Sequence, residues 1–243
     1  MPAAGQPLVV RPINAQTGAI RSGVGSAVFE VGSTRVVCAV YGPQVDARQE
    51  FSERGRLACE VKVAAFARPA RSASAPPTGA EESAFAAELH TALSPSLRLD
   101  AYPKSSWQLC AFVVEDDGSA LPALINCASL ALADAGIQMF DMVAACSVAC
   151  FHDGRVVGTP TAEEEASALG QVLFAQMAGS GKVSSLQASG LIPANAFDDA
   201  CAAAAAGCAA TAQTLRAALV ASWRTRHADV NGSAKLAEAV VAG

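Results

Sequence analysis

Apolar and polar positions along this chain alternate in some stretches, recur every third or fourth residue in others, and in one stretch leave almost no polar position at all. Residues 25–31 (GSAVFEV) alternate, residues 34–41 (TRVVCAVY) are nearly continuously apolar, and Gly32-Ser33 between them supplies a tight turn, which together predict a β-hairpin. The more continuous second strand is expected to lie deeper in its sheet, with Gly42-Pro43 ending it. Residues 57–66 (LACEVKVAAF) predict a third strand with Glu60 and Lys62 on a wet face. In residues 81–93, Phe85, Leu89 and Leu93 fall at fourfold spacing behind Glu81 and Glu82, whose charges suit the first turn of a helix. Residues 107–115 (WQLCAFVVE) and 142–151 (MVAACSVACF) read as two further strands, the second turning at His152-Asp153-Gly154.

Between those two strands, residues 120–133 carry no charge. A helix apolar on every face belongs inside a domain, so the other elements must be laid around it. Gly118-Ser119 marks its start, with the Ser119 side-chain oxygen expected to cap the first free N–H groups, and Gly136 marks its end. Further on, Thr161 is expected to cap a short helix whose Glu163, Glu164 and Glu165 form a solvated acidic first turn. Residues 172–190 read as strand, loop and strand. Residues 197–227 form a long Ala-rich helix, weakened by Gly207, with Asp198 and Asp199 in its first turn and Arg216, Arg224 and Arg226 toward its end. Residues 48–56 and the Pro-rich residues 67–80 are expected to be loops. This order predicts a single α+β domain of mixed sheet with packed helices, spanning 1–243 with a core over 11–227 and flexible tails at 1–10 and 229–243.

Composition narrows the function classes. The 243 residues are 52% hydrophobic and 16% charged, with formal net charge −5, which describes a folded chain and argues against coating nucleic acid by bulk charge. Neither a membrane span nor a secretory leader is written in the sequence, so no membrane partner is expected. The eight cysteines, Cys38, Cys59, Cys110, Cys127, Cys146, Cys150, Cys201 and Cys208, lie mostly in apolar segments without CxxC spacing and read as buried reduced thiols. His90 is placed on a helix surface, His152 in a turn and His227 near a helix C-terminus. No metal site and no cofactor are expected.

Three phrases carry a resemblance. "DDGSAL" with "ALADAGI", the hairpin "GSAVFEVGSTRVVCAVYGP", and "GTPTAEEEASALGQVLFAQM" resemble the corresponding segments of RNase PH-type phosphorolytic exoribonucleases. The resemblance covers residues 11–227 and implies an RNase PH-like fold, of the ribosomal protein S5 domain 2-like kind. In active relatives an acidic-Gly-[Ser/Thr]-Arg turn holds inorganic phosphate at a helix N-terminus. Here the Arg position is Ala120. The two catalytic aspartates of such enzymes, six residues apart, fall on Glu165 and Gln171, and Thr159 stands where many relatives carry Asp. Gln is neutral and neither accepts a proton nor holds a divalent cation as a carboxylate does.

The resemblance therefore implies an inactive RNase PH-like subunit of the eukaryotic RNA exosome ring, most like the mRNA-transport-defective (Mtr) type. It implies other RNase PH-like subunits as partners in a hetero-hexameric ring, S1/KH-type cap subunits, single-stranded RNA passing through the assembly, and a place in the nucleus, nucleolus and cytoplasm. The alternatives are an active phosphate-dependent 3'-to-5' exoribonuclease using Glu165 and an RNase PH-like scaffold outside any ring. Any RNA contact is expected through phosphates, from Arg68, Arg71, Arg98 and Lys104 gathered on one rim.

Overall fold

A computed structural model describes residues 11–45, 53–68, 79–152 and 154–241. The hairpin forms as its pattern predicts: β2 (Gly25–Val31) and β3 (Thr34–Val45) pair antiparallel, with Gly25 opposite Val40 and Val31 opposite Thr34. An unpredicted edge strand, β1 (Ile13–Thr17), joins β2, with half-buried and exposed residues alternating along it. β5 (Ser105–Glu115) lies between β3 and a parallel β4 (Arg56–Val63), completing a sheet of order β1-β2-β3-β5-β4. β3 is thus interior, as its continuous apolar run requires.

Two strand ends differ from expectation. β4 stops at Val63, three residues early, because the chain turns there and leaves Phe66 exposed. β3 runs past Gly42-Pro43, since a register irregularity between Tyr41 and Gln44 absorbs the proline and pairing resumes at Gln44–Ser106.

The uncharged run forms α2 (Ala120–Asp134), buried at twelve of its fifteen positions. It packs on β2 and β3 on one side and along β6 (Val143–Cys150) on the other. The approach to β2 is close enough to require glycine: a Cβ on Gly25 would stand 2.2 Å from the Ala135 nitrogen. Gly136 ends the helix in the left-handed region, as expected. Asn126 and Ser129, the polar residues inside the run, serve β6. The Asn126 side chain donates to the Ala145 carbonyl at 2.9 Å and accepts from the Ala145 N–H at 2.8 Å, and Ser129 Oγ accepts from the Val143 N–H at 3.0 Å. These are the backbone groups that no strand pairs, since β7 (Val156–Gly158) covers only the far end of β6.

β6 heads a second, antiparallel sheet of order β7-β6-β8-β9, with β8 (Gly170–Met177) and β9 (Val183–Gly190). α1 (Gly79–Leu93) covers β4 and buries Leu89 and Leu93, and α3 (Ala162–Ser167) links β7 to β8. α4 (Ala194–Val241) packs on β6 and β8 and reaches β1. It starts before and ends beyond the expected helix, so the residues expected as a loose tail continue it to Val241. Asp198 and Asp199 therefore lie behind its first turn, and Arg216, Arg224, Arg226 and His227 lie inside it rather than at its end. Arg226 instead meets a buried carboxylate, Asp134 Oδ1, at 3.0 Å. Among the described residues no helix is long and apolar enough to cross a membrane.

Candidate functional site

β5 delivers Asp116-Asp117-Gly118-Ser119 to the first turn of α2, and the turn is fixed from four directions. Thr34 Oγ1 donates to the Gly118 carbonyl at 2.7 Å and accepts from the Asp117 N–H at 3.0 Å. Gly118 (φ 84°) and Ser119 (φ 57°) are both left-handed, and a Cβ on Gly118 would stand 2.6 Å from the Pro160 carbonyl oxygen. Ser119 does not cap α2 with its side chain, contrary to expectation. In its left-handed conformation the hydroxyl turns away from the helix, donates to the Pro160 carbonyl at 2.9 Å and accepts from Ser147 Oγ at 3.0 Å.

What meets the helix terminus is Glu165, whose Oε1 accepts the Ser119 N–H at 2.8 Å. The expectation that Glu163, Glu164 and Glu165 share one solvated turn is thus corrected for Glu165, which is half-buried against the turn. The Thr161 cap is as expected: Thr161 Oγ1 accepts the Glu164 N–H at 3.3 Å while Glu164 Oε2 accepts the Thr161 N–H at 2.9 Å. This box orients α3 so that the next residue, Glu165, points at Ser119. Burial raises the Glu165 pKa, and nearby Asp116 adds to the rise, while the Ser119 N–H, Arg11 and Arg68 oppose it.

Arg11, to which the sequence assigned no role, is the cation that binds the turn's carbonyls. Its guanidinium donates to the carbonyls of Asp117 (3.2 Å), Gly118 (3.3 Å) and Pro160 (3.0 Å) and to Asp117 Oδ2 (3.2 Å). Its backbone N–H donates to Thr159 Oγ1 at 3.0 Å, holding Thr159 in a left-handed conformation. The only advance signal was an Arg-Pro pair just before the first strand. Burial lowers the Arg11 pKa, opposed by Asp117, Glu164, Glu165 and Asp116.

The structure brings the three positions singled out from the sequence together. Ala120 opens α2, Glu165 faces the residue before it, and the Gln171 side chain on β8 donates to the Glu165 carbonyl at 3.5 Å. It does not gather the four basic candidates. Arg68 lies beyond β4 at the turn end, pairing with Asp116 (2.9 Å) and with Glu81, which raise its pKa. Arg98 and Lys104 lie at the start of β5, about 33 Å away along an 11-residue strand. Arg68 and the Arg98–Lys104 segment therefore sit at opposite ends of one strand rather than side by side, and Arg71 falls outside the described residues. Among the described residues no group of His, Cys, Asp and Glu is arranged to hold a metal ion.

Residues 9–138 match the RNase PH model, described as the 3' exoribonuclease family, domain 1. The chain belongs to the RNase PH family. Its curated relatives include exosome complex component RRP41-like of Arabidopsis thaliana, 39% identical over 155 residues (63% of this chain, 59% of the relative), and exosome complex component MTR3 of Homo sapiens, 39% identical over 160 residues (60% and 58%). The chain thus spans less than two thirds of the length of these two relatives. Exosome complex component Rrp41 of Methanopyrus kandleri is 31% identical over 216 residues, 88% of this chain and 89% of the relative. The RNase PH fold is shared with rice (Oryza sativa) Rrp46, at TM-score 0.77 and 22% identity over 88% of this chain and 96% of that one. It is shared also with a chain of the Archaeoglobus fulgidus exosome with RNA bound to the active site, at TM-score 0.70 and 18% identity over 82% and 86%.

Proposed function

We propose that this chain is a catalytically inactive, structural RNase PH-like subunit of an RNA exosome ring, of the MTR3 type. The observation that carries the reading is the Ser119–Glu165 bond: the helix terminus at which relatives resembling this chain take phosphate is met by a carboxylate of the chain itself. A second anion there would face Glu165, Asp116 and Asp117, with the Arg11 guanidinium already committed to three carbonyls and Asp117. Ala120 offers no guanidinium, and losing such a ligand of the reacting group costs about 3 kcal/mol of transition-state stabilisation. Gln171 offers no carboxylate. The family membership and the relatives named exosome complex component support the ring; partner RNase PH-like subunits, S1/KH-type caps and a nuclear and cytoplasmic location follow from the same reading.

The test is to incubate the purified chain with single-stranded RNA and inorganic phosphate. No release of nucleoside diphosphate is expected, and mixing with other RNase PH-like subunits is expected to give a defined assembly by native mass measurement. Phosphate-dependent release that disappears in Glu165→Ala would overturn the inactivity. A monodisperse monomer with no affinity for those subunits would overturn the ring assignment.

A further inference from the structure

The end of the molecule opposite the acidic turn has a different chemistry. Three segments meet there. The Gly55 N–H donates to the Leu99 carbonyl at 2.9 Å, the Arg98 N–H to the Gln138 carbonyl at 3.0 Å, and the Phe140 N–H to the Ser96 carbonyl at 2.7 Å. An isolated bridge between Leu97 and Met139 and a bond from the Gln138 N–H to the Tyr102 hydroxyl at 3.1 Å complete the link. Arg54, Arg56, Arg98 and Lys104 are all exposed on this rim, against Glu53, Asp100 and the half-buried Asp141; Asp100 pairs with Arg54 at 2.7 Å, and Asp141 accepts from the Gly179 and Ser180 N–H groups. The turn end, by contrast, carries Glu81, Glu115, Asp116, Asp117, Glu163 and Glu164 against Arg11, Arg35 and Arg68, an excess of acid. Charge is therefore polarised along the axis of β5 although the whole chain is acidic.

Beside Arg98 on this rim stands Phe140. The residue is 66% exposed, yet its backbone N–H is tied to Ser96, and the Arg98 guanidinium lies 5.8 Å from the ring centroid. A rigidly held, solvent-facing phenyl beside arginines is what single-stranded nucleic acid uses: the cations follow the phosphates and the ring stacks a base without reading its sequence. A polyacidic peptide without aromatic residues would use the cations and leave the ring idle, whereas every nucleotide brings a phosphate and a flat base together.

We propose that this rim, Arg56, Arg98 and Lys104 with Phe140, is a binding surface for single-stranded RNA, engaging phosphates through the cations and one base through the phenyl. It belongs to the isolated chain and does not depend on membership of a ring or on the state of the Glu165 site.

The experiment titrates the full chain against a fluorescent oligouridylate of roughly twelve nucleotides, between about 50 and 200 mM salt. The triple variant Arg56→Gln, Arg98→Gln, Lys104→Gln is expected to bind at least about tenfold more weakly at low salt, with a salt slope shallower by about two, since each phosphate contact on a single strand contributes about 0.7. Phe140→Ala is expected to weaken binding about fivefold or more and leave the slope unchanged, as lost stacking does. Arg35→Gln, at the other end of the sheet, is expected to bind as the native chain does. All these side chains are exposed, so matching thermal melts verify the fold of each variant. An unchanged slope in the triple variant, or no binding by the native chain, overturns the proposal. So does an inert Phe140→Ala coupled with equal displacement of RNA by polyglutamate, which would make the rim a seat for acidic polypeptide.

Discussion

The backbone N–H of Ser119 donates to Glu165 Oε1 at 2.8 Å across 46 residues of chain, so the first turn of the central helix holds an anion that the protein supplies itself. Favourable as that bond is, burial outweighs it, and the Glu165 pKa is raised. A carboxyl whose pKa is higher folded than unfolded binds protons more tightly in the folded state. Its ionisation therefore costs stability above the folded pKa, and the cost disappears as pH falls through the folded and then the unfolded value, near about 4.3.

Glu165→Gln keeps an oxygen for Ser119 and removes the charge. The variant is expected to be at least as stable as the native chain at pH 7 to 8, with the advantage shrinking as pH falls toward about 4.3. Thermal melts of both proteins across that range measure it; a variant clearly less stable at pH 8 would show the ionised carboxylate to be net stabilising.

Arg11 ties the chain before β1 to the acidic turn and to the Pro160 segment. Arg11→Ala leaves three carbonyls without this donor and is expected to cost about 2 to 4 kcal/mol in denaturant unfolding. Arg11→Lys should recover little, because an ammonium lacks the planar fork that reaches the Asp117, Gly118 and Pro160 oxygens together.

Asn126 satisfies both backbone groups of Ala145 from inside a helix whose uncharged run is apolar but for Asn126 and Ser129. Asn126→Leu nearly conserves volume but orphans a buried donor and a buried acceptor. A loss of about 2 kcal/mol or more is expected by denaturation, and a neutral result would mean that β6 finds another partner.

The thiols are expected to divide by burial. Cys38 and Cys208 are fully buried and their pKa values are raised, Cys59 is pushed up to about 12 and Cys146 to about 11, so none offers thiolate near neutrality. Cys59, Cys110 and Cys201 are all half-buried, but burial raises the pKa values of Cys110 and Cys201 less than that of Cys59. Maleimide labelling of the native protein at pH 7.5, mapped by mass spectrometry, should reach Cys110 and Cys201 first and the other four only on unfolding.

The local pattern of the chain was enough to place α2 as a helix buried on all sides, β2 and β3 as a hairpin with the second strand interior, and Thr161 as a cap. Each depends on neighbours one to four residues apart, whose faces are fixed by strand or helix geometry. The resemblance of three phrases went further and set Ala120, Glu165 and Gln171 around one turn, where the structure also puts them. Neither could show what those residues do to one another. The left-handed conformation of Ser119 turns its hydroxyl from the helix to Pro160, and that decides that Glu165, not Ser119, meets the helix terminus. Arg11 reaches Asp117 only because β1 pairs at the edge of the first sheet. Arg68 and Lys104 stand apart because the length of an extended strand separates them. These relationships join residues distant in sequence, and they depend on strand order, register and packing, which no local periodicity encodes.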